Sequence, residues 1–126
     1  MTIENALKEN VWAVLGATAN TNKFGYKIYM CLKKHGYKVY PVNPNVDNID
    51  GDICYASIAE LPEIPGVVDF VVPERVGLAA VAECKEKGVK CLFLQPGADK
   101  DSVVEAATAA GLSVIKNCVL VQLKED

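Results

Sequence analysis

A short loop with the properties of an anion-binding site follows the first apolar segment of the chain. Gly16, Ala17 and Thr18 have little or no side-chain bulk, so the backbone N–H groups around them are accessible. A helix is predicted to begin near Lys23, and its unpaired N–H groups and dipole favour a phosphate. Lys23 would add a positive charge, and Gly25 would let a ligand approach the first helical turn. The alternative is an ordinary tight connection between a strand and a helix.

The loop does not match either of two common phosphate-binding motifs. No Gly-Lys-Ser/Thr follows at the spacing of a Walker A loop, and no carboxylate is placed to hold magnesium. The G-x-G-x-x-G pattern of dinucleotide sites is also incomplete, because its second glycine is missing and Gly25 comes too late to be the third. The loop therefore predicts a phosphate site without identifying the nucleotide.

The end of the second predicted strand favours a phosphorylated ribose. Sites for NAD place Asp or Glu there to bind the ribose hydroxyls, whereas this chain has Asn43 between two prolines. An amide can bond to a ribose without repelling a phosphate on the same sugar. The alternative is that Pro41 and Pro44 only end the strand, while Asn43 bonds to its own backbone in a turn.

Two further strand ends carry uncharged groups that suit a nucleotide. Pro73 offers a flat apolar edge for an adenine, and Gln95 supplies a hydrogen-bonding amide before a tight turn at Gly97. The presence of each residue is also explained by an ordinary turn without a ligand. In a parallel sheet these strand ends meet at one edge, and their joint appearance there favours a binding site.

Strands and helices alternate along the chain and would position these loops. Short apolar runs predict strands at Val11–Leu15, Tyr37–Val42, Val67–Val72, Lys90–Leu94 and Ser113–Lys116. Apolar residues at helical spacing predict helices at Phe24–His35, Arg75–Lys87 and Asp101–Ala110. The segment from Asn43 to Gly66 is expected to hold only a helical turn near Ser57–Leu61, and Val119–Leu123 is a candidate edge strand.

This alternation predicts an α/β fold of the Rossmann type, a three-layer αβα sandwich with a five- or six-stranded, mainly parallel sheet. The chain has 126 residues, of which 51% are hydrophobic, which suffices for one core and not for two. We therefore expect residues 1–126 to form a single domain.

Composition and charge exclude several classes of protein. The net charge of −3, with dispersed basic residues, argues against a nucleic-acid partner. Thr2–Asn10 is polar, so no signal peptide is predicted, and no apolar run is long enough to span a bilayer. The five cysteines are widely spaced without a C-x-x-C pair, which predicts free thiols and no metal site. We expect a cytoplasmic protein.

Taken together, the loops resemble the CoA-binding domain family, a small Rossmann-like domain that also forms the first part of the succinyl-CoA synthetase α subunit. The resemblance rests on the loop 16–18 with Lys23-Phe24-Gly25, on Pro-Val-Asn-Pro at 41–44 and on Gln-Pro-Gly-Ala at 95–98. The chain departs from the family at Thr18, where Ser is frequent, and in a less basic loop at 19–22. The resemblance implies coenzyme A or an acyl-CoA as the ligand.

The resemblance also implies roles for individual residues. The first loop would surround the diphosphate, Asn43 would lie near the ribose phosphate, and apolar residues after the second and third strands would lie near the adenine. The candidate cofactor-binding residues are Gly16, Ala17, Thr18, Asn22, Lys23 and Gly25 in the first loop, Val42, Asn43 and Pro44 after the second strand, Val72 and Pro73 after the third, and Gln95 and Gly97 after the fourth.

No residue is assigned a catalytic role. His35, the only histidine, ends a helix, where a capping role is favoured. Asp69 lies within an apolar strand and Glu74 at a helix start, so they do not form an acid–base pair. Cys118 follows the fifth strand near the crevice, and we favour a packing role, because a reactive thiol needs a lowered pKa and Lys116 is its only neighbouring cation in sequence. Disulfide or acyl exchange of Cys118 with a CoA thiol is the alternative.

We therefore expect a small CoA-binding protein that catalyses no reaction of its own on the bound nucleotide. The alternative is a component of a split acyl-CoA synthetase or of an NADP-dependent enzyme, whose remaining residues come from a partner chain. In the synthetases the phosphorylated histidine belongs to a later domain that this sequence is expected to lack. A third hypothesis is an interaction scaffold with a vestigial crevice. A partner protein or a homo-oligomer is compatible with each of them.

Overall fold

The computed structural model describes residues 1–123 and contains a parallel sheet with helices on both faces. The sheet consists of β1 (Val11–Leu15), β2 (Lys38–Val42), β5 (Val67–Phe70), β6 (Cys91–Leu94) and β7 (Ser113–Lys116). The helices are α1 (Ile3–Lys8), α2 (Phe24–Lys34), α3 (Glu74–Lys87), α4 (Asp101–Ala109) and α5 (Val119–Leu123). A two-stranded hairpin, β3 (Asn48–Ile49) and β4 (Asp52–Ile53), and a 3₁₀ turn at Ile58–Glu60 lie between β2 and β5. The predicted Rossmann-like αβα architecture is confirmed.

The order of the strands fixes the position of the ligand crevice. The five-stranded sheet has the order β2-β1-β5-β6-β7, and all its pairs are parallel. The chain runs outward from β1 to β2 and then crosses back to β5 on the other side of β1. The connections after β1 and β5 therefore leave in opposite directions, and a crevice opens between their carboxyl ends.

The sheet separates two apolar clusters. Side chains alternate between the faces of a strand, so Val68 and Phe70 pack in the cluster under α3 and α4, whereas Val67 belongs to the cluster under α2 and α5. The same alternation places Asp69 on the face covered by α2 and α5. Both faces of β1, β5 and β6 are covered, which is why these strands are almost continuous apolar runs.

The prediction of an edge strand at Val119–Leu123 is wrong, because this segment forms the helix α5. A short apolar run does not distinguish a buried strand from a buried helical turn. Here the N–H groups of Val121 and Gln122 donate to the carbonyl of Cys118 over 3.2 and 3.1 Å. Val119 is fully buried, and α5 packs against α2 instead of extending the sheet.

Two elements were not predicted. Helix α1 is capped by Thr2, whose hydroxyl accepts from the N–H of Asn5 over 3.1 Å, but with six residues it is too short to show periodicity. The β3–β4 hairpin turns at Asp50 and Gly51, both with positive φ. Asp-Gly is a typical pair for such a two-residue turn, and this signal could have identified the hairpin.

The hairpin is anchored to α2 by a group of polar contacts. Lys33 contacts Asp50 and Asp52 with Nζ–Oδ2 distances of 2.9 and 2.6 Å, and the Tyr29 hydroxyl donates to Asp52. Although burial works in the opposite direction, hydrogen bonds from Lys33 and Tyr29 lower the pKa of the Asp52 carboxyl. We refer to Tyr29, Lys33, Asp50 and Asp52 as the hairpin anchor.

The structure also shows where the helix faces were mispredicted. Phe24 begins the apolar pattern that predicts α2 but is 65% exposed, and Val76 belongs to the apolar pattern that predicts α3 but is 39% exposed. The buried residues of α3 are Gly77, Ala80, Val81 and Cys84. Within residues 1–123, no helix combines the length and the apolarity needed to cross a membrane.

Candidate functional site

The loop after β1 is pressed against the end of β5. Gly16 has a φ of +98°, and its N–H donates to the carbonyl of Val42 over 2.9 Å. A methyl group added at Gly16 would collide with the Val71 carbonyl group, lying 2.9 Å from its carbon, and would also lie 2.9 Å from Cγ1 of Val72. Only glycine meets both the conformational and the steric demand at this position.

Gly25 lets the loop and α2 pack closely. It is buried, and a methyl group there would lie 3.1 Å from the carbonyl carbon of Gly16 and 3.3 Å from Cα of Ala17. That it also admits a ligand stays a prediction. Its missing side chain lets α2 pack directly on the loop. This is the task of the third glycine in dinucleotide-binding motifs, met here at a different spacing.

The close packing places the amino end of α2 beside the crevice. The N-cap residue is Lys23, and no side chain of residues 1–123 caps the first turn of the helix. Its first N–H groups are therefore unpaired donors at the positive end of the helix dipole. Lys23 forms no ion pair with any of the residues 1–123, so its charge is free to neutralise a bound anion.

The loop holds its concave shape through its own hydrogen bonds. The N–H of Asn20 donates to the Thr18 hydroxyl over 3.2 Å, and the N–H of Asn22 donates to Oδ1 of Asn20 over 3.0 Å. The resulting cavity, which we call the phosphate cradle, has a volume of about 360 Å³ and is lined by Gly16, Thr18, Asn20, Lys23, Phe24, Gly25 and Val71. Asn22 is exposed beside it.

Asn43 ties the end of β2 to the phosphate cradle. Its Nδ2 donates to the carbonyl of Ala17 over 2.9 Å, and its Oδ1 accepts from the N–H of Asn45 over 2.9 Å. Asn43 therefore makes the turn that was considered as the alternative, and it also supports the loop. Contact of Asn43 with a ribose phosphate stays a prediction, as does contact of the neighbouring exposed Pro44.

Two of the predicted binding residues do not present side chains to the crevice. Ala17 and Val42 are fully buried in the core. Ala17 can serve a ligand through its backbone, whereas Val42 supports the end of β2 from below. The sequence pattern placed both residues at the correct sheet edge but could not show which way their side chains point.

The ends of β5 and β6 enclose a second cavity. Val71, Val72, Pro73, Pro96, Gly97 and Ala98 surround a volume of about 220 Å³, which we call the apolar slot. The turn is fixed at Gly97, where φ is +95° and the N–H donates to Oδ1 of Asp99 over 3.1 Å. The structure thus brings together Val72 and Pro73, predicted after the third strand, and Gly97, predicted after the fourth.

Gln95 is 4% exposed and helps to start α5. Its Oε1 accepts from the N–H of Val119 over 2.9 Å. It also lines a third cavity of about 130 Å³, together with Phe24, Ile28, Val71, Pro96 and Cys118. Phe24 lines two of the three cavities and Val71 lines all three, and neither was predicted as a site residue. The position of Phe24 one residue after Lys23 was the available signal for it.

The titratable residues considered for catalysis either form hydrogen bonds that stabilise helices or are buried. His35 is the C-cap residue of α2, and its Nδ1 lies 2.8 Å from the carbonyl oxygen of Cys31, which confirms the capping role. Glu74 lies in the first turn of α3 and accepts from the hydroxyl of Ser102. Asp69 is fully buried, and neither carboxyl oxygen has a hydrogen-bond partner within the described residues 1–123. Burial, reinforced by the nearby Cys118, raises the pKa of Asp69 well above its ordinary value.

Comparison with known protein families gives one match over almost the whole chain. A family model described as "CoA binding domain" matches residues 10–124. The matched region includes β1, the phosphate cradle, the apolar slot and the third cavity.

Known proteins with similar sequences or folds agree with this match. The alpha subunit of ADP-forming acetate–CoA ligase II from Pyrococcus furiosus is 33% identical over 119 residues, which cover 85% of this chain and 26% of the subunit. A conserved hypothetical protein of the same organism has a TM-score of 0.82 and 39% identity, covering 90% of this chain and 98% of that one. The dinucleotide-forming acetyl-coenzyme A synthetase 1 of Ca. Korarchaeum cryptofilum has a TM-score of 0.78 and 27% identity, covering 90% of this chain and 27% of that one. The chain spans only 12% of another curated ligase, so these enzymes are several times longer than the matched region.

Proposed function

Because the chain belongs to the CoA-binding domain family, we propose that it binds coenzyme A or an acyl-CoA in the crevice between β1 and β5. The observation that carries this proposal is the uncapped amino end of α2, packed through Gly25 against the Gly16 loop. Unpaired N–H groups, a helix dipole and the free charge of Lys23 converge on one cavity, which suits a diphosphate.

The rest of the crevice supports the choice of nucleotide. The apolar slot would take the adenine between Val72, Pro73 and Gly97. The ribose phosphate would lie toward Asn43 and Pro44, since the residue at this strand end is an uncharged amide. An NAD site would need an acidic residue at this strand end.

Thermal unfolding with a panel of nucleotides tests the proposal. A ligand at 100 times its Kd stabilises the folded state by about 2.7 kcal/mol, so bound nucleotides raise the Tm clearly. We expect CoA and acetyl-CoA to raise the Tm, dephospho-CoA to raise it less, and NAD to leave it unchanged. Stabilisation by NAD and not by CoA would reject the proposal, and an equal effect of dephospho-CoA would reject the ribose-phosphate contact.

A second candidate function is that of a subunit or domain of an acyl-CoA synthetase assembled from several parts. It is favoured by the likeness to a ligase that is itself divided into subunits, of whose alpha subunit the chain spans 26%. We propose that the residues of this chain then bind CoA, while a partner supplies the residues that react. Co-purification of a second chain, together with ADP-forming acyl-CoA ligase activity of the mixture only, would support this role. Activity of the isolated chain would contradict it.

We further propose that residues 1–126 form a single domain and that the protein is cytoplasmic. All five cysteines lie within residues 1–123 as reduced thiols, which suits a reducing compartment. Limited proteolysis is expected to leave the region of the family match intact, whereas cleavage into two stable fragments would contradict a single domain.

A further inference from the structure

The third cavity leads from the phosphate cradle to the thiol of Cys118. It has a volume of about 130 Å³, and Cys118 and Gln95 are the hydrogen-bonding side chains in its lining. Phe24 and Val71 form walls of both this cavity and the phosphate cradle. An arm attached to a diphosphate in the cradle can therefore enter this cavity along a shared wall.

The cavity also contains an unused hydrogen-bond donor. The N–H of Val119 can only donate, so the atom of Gln95 facing it is Oε1. The Nε2 group of this 4% exposed side chain has no partner among residues 1–123. Asp69, two residues before Val71, is fully buried, and neither of its carboxyl oxygens has a hydrogen-bond partner among residues 1–123. Side chains as buried as Gln95 rarely leave a hydrogen-bond donor unused, so this donor in the cavity lining indicates that the cavity receives a polar group.

Cys118 differs from the other four cysteines in its surroundings. Those four are buried, whereas Cys118 is half-buried at the cavity. Burial raises the pKa of the Cys84 thiol to about 12 and that of the Cys91 thiol to about 11. These buried thiols stay protonated near neutral pH, and only a thiolate attacks a disulfide. Cys118 is thus the thiol that a ligand in the crevice can reach.

We propose that the third cavity holds the sulfur end of the pantetheine arm of CoA and that Cys118 undergoes thiol–disulfide exchange there with CoA disulfide. This inference rests on the proposed CoA binding. The Cys118 thiolate attacks one sulfur of the disulfide, a bond forms between Cys118 and that CoA sulfur, and the original sulfur–sulfur bond breaks. The second CoA leaves as a thiolate and takes up the proton that Cys118 released, so CoA disulfide is the only oxidant required.

Selectivity in this exchange comes from binding of the nucleotide. Holding the nucleotide in the phosphate cradle raises the effective concentration of its sulfur at Cys118. A disulfide that lacks the nucleotide has no such advantage.

Intact-mass measurement with CoA disulfide tests the proposal, with pantethine as the disulfide that lacks the nucleotide. The wild-type chain should gain one CoA, removable by a reductant, at least tenfold faster than it gains one pantetheine. Cys118→Ser should gain none, and the control Cys54→Ser, which changes a buried thiol, should behave like the wild type. Equal rates for the two disulfides, or unchanged labelling of Cys118→Ser, would overturn the proposal.

A parallel binding measurement separates this inference from the proposed function. If reduced CoA raises the Tm of both wild type and Cys118→Ser but CoA disulfide does not modify the wild type, the exchange is refuted and CoA binding stands. If reduced CoA stabilises neither protein, CoA binding is refuted and the exchange falls with it.

Discussion

The close contact between the Gly16 loop and β5 can be tested with a pair of glycine substitutions. Gly16 and Gly36 have similar φ values of +98° and +87°, but a methyl group at Gly36 would meet no atom within 4 Å. A left-handed conformation costs a non-glycine residue about 1–2 kcal/mol, and this cost applies to both Gly16→Ala and Gly36→Ala. Overpacking adds about 1–3 kcal/mol, and only Gly16→Ala forces it, against Val71 and Val72.

We therefore expect Gly36→Ala to lower the free energy of unfolding by about 1–2 kcal/mol and Gly16→Ala to lower it by about 2–5 kcal/mol. Urea unfolding measures both values through the fluorescence of Trp12, the only tryptophan, which is fully buried. CoA affinity, measured by calorimetry, should fall for Gly16→Ala, because the loop must shift away from Val71 and Val72, and should be unchanged for Gly36→Ala.

The comparison has a definite negative outcome. Equal destabilisation by the two substitutions would show that the conformational cost acts alone and that the loop is not packed against β5. Normal CoA affinity of a destabilised Gly16→Ala would show that the loop geometry does not govern binding.

Three further predictions concern charged groups. Because burial raises the pKa of Asp69 in the folded state, the free energy of unfolding of the wild type should fall as the pH rises above about 4, by up to about 1.4 kcal/mol per pH unit. Asp69→Asn should lack this fall. Parallel pH profiles of the two proteins in urea unfolding from pH 5 to 8 would contradict the assignment. Lys33→Met should destabilise the hairpin anchor by less than about 1 kcal/mol. The pKa of Asp52 is lowered despite its burial, so this loss of stability should become smaller in acid, where Asp52 is protonated. An equal loss at pH 3 and pH 7 in urea titrations would refute the ion pair. Lys23→Met should weaken CoA binding, measured by calorimetry, on the order of fivefold, because an exposed charge contributes about 1 kcal/mol. Lys27→Met, one turn further along α2, should leave the affinity unchanged. Equal effects of the two substitutions would indicate a general effect of charge.

The sheet and its main helices were predictable because their signals are local. Continuous apolar runs such as Val11–Leu15 mark strands covered on both faces, and Gly36 and Gly88 mark helix ends with positive φ. The segment Val119–Leu123 was not predictable, because its structure depends on Gln95, which takes the N–H that a strand would use for pairing. Helix α1 depends on a single capping hydroxyl.

The phosphate cradle was predictable in position but not in construction. Glycine and small residues before a helix identify an anion site from sequence alone. The uses of Gly25 and Asn43 could not be predicted, because each depends on a backbone group brought close by the fold, the carbonyls of Gly16 and Ala17 respectively. The third cavity was not predictable either, since Phe24, Val71 and Cys118 come from separate parts of the chain.

The most direct test of CoA binding is a native mass spectrum of the gently purified folded chain, recorded before and after addition of CoA. We expect a complex of one CoA per chain, which NAD at the same concentration does not form and which Gly16→Ala loses. A spectrum in which CoA does not bind, or in which NAD displaces it, would contradict the proposed function.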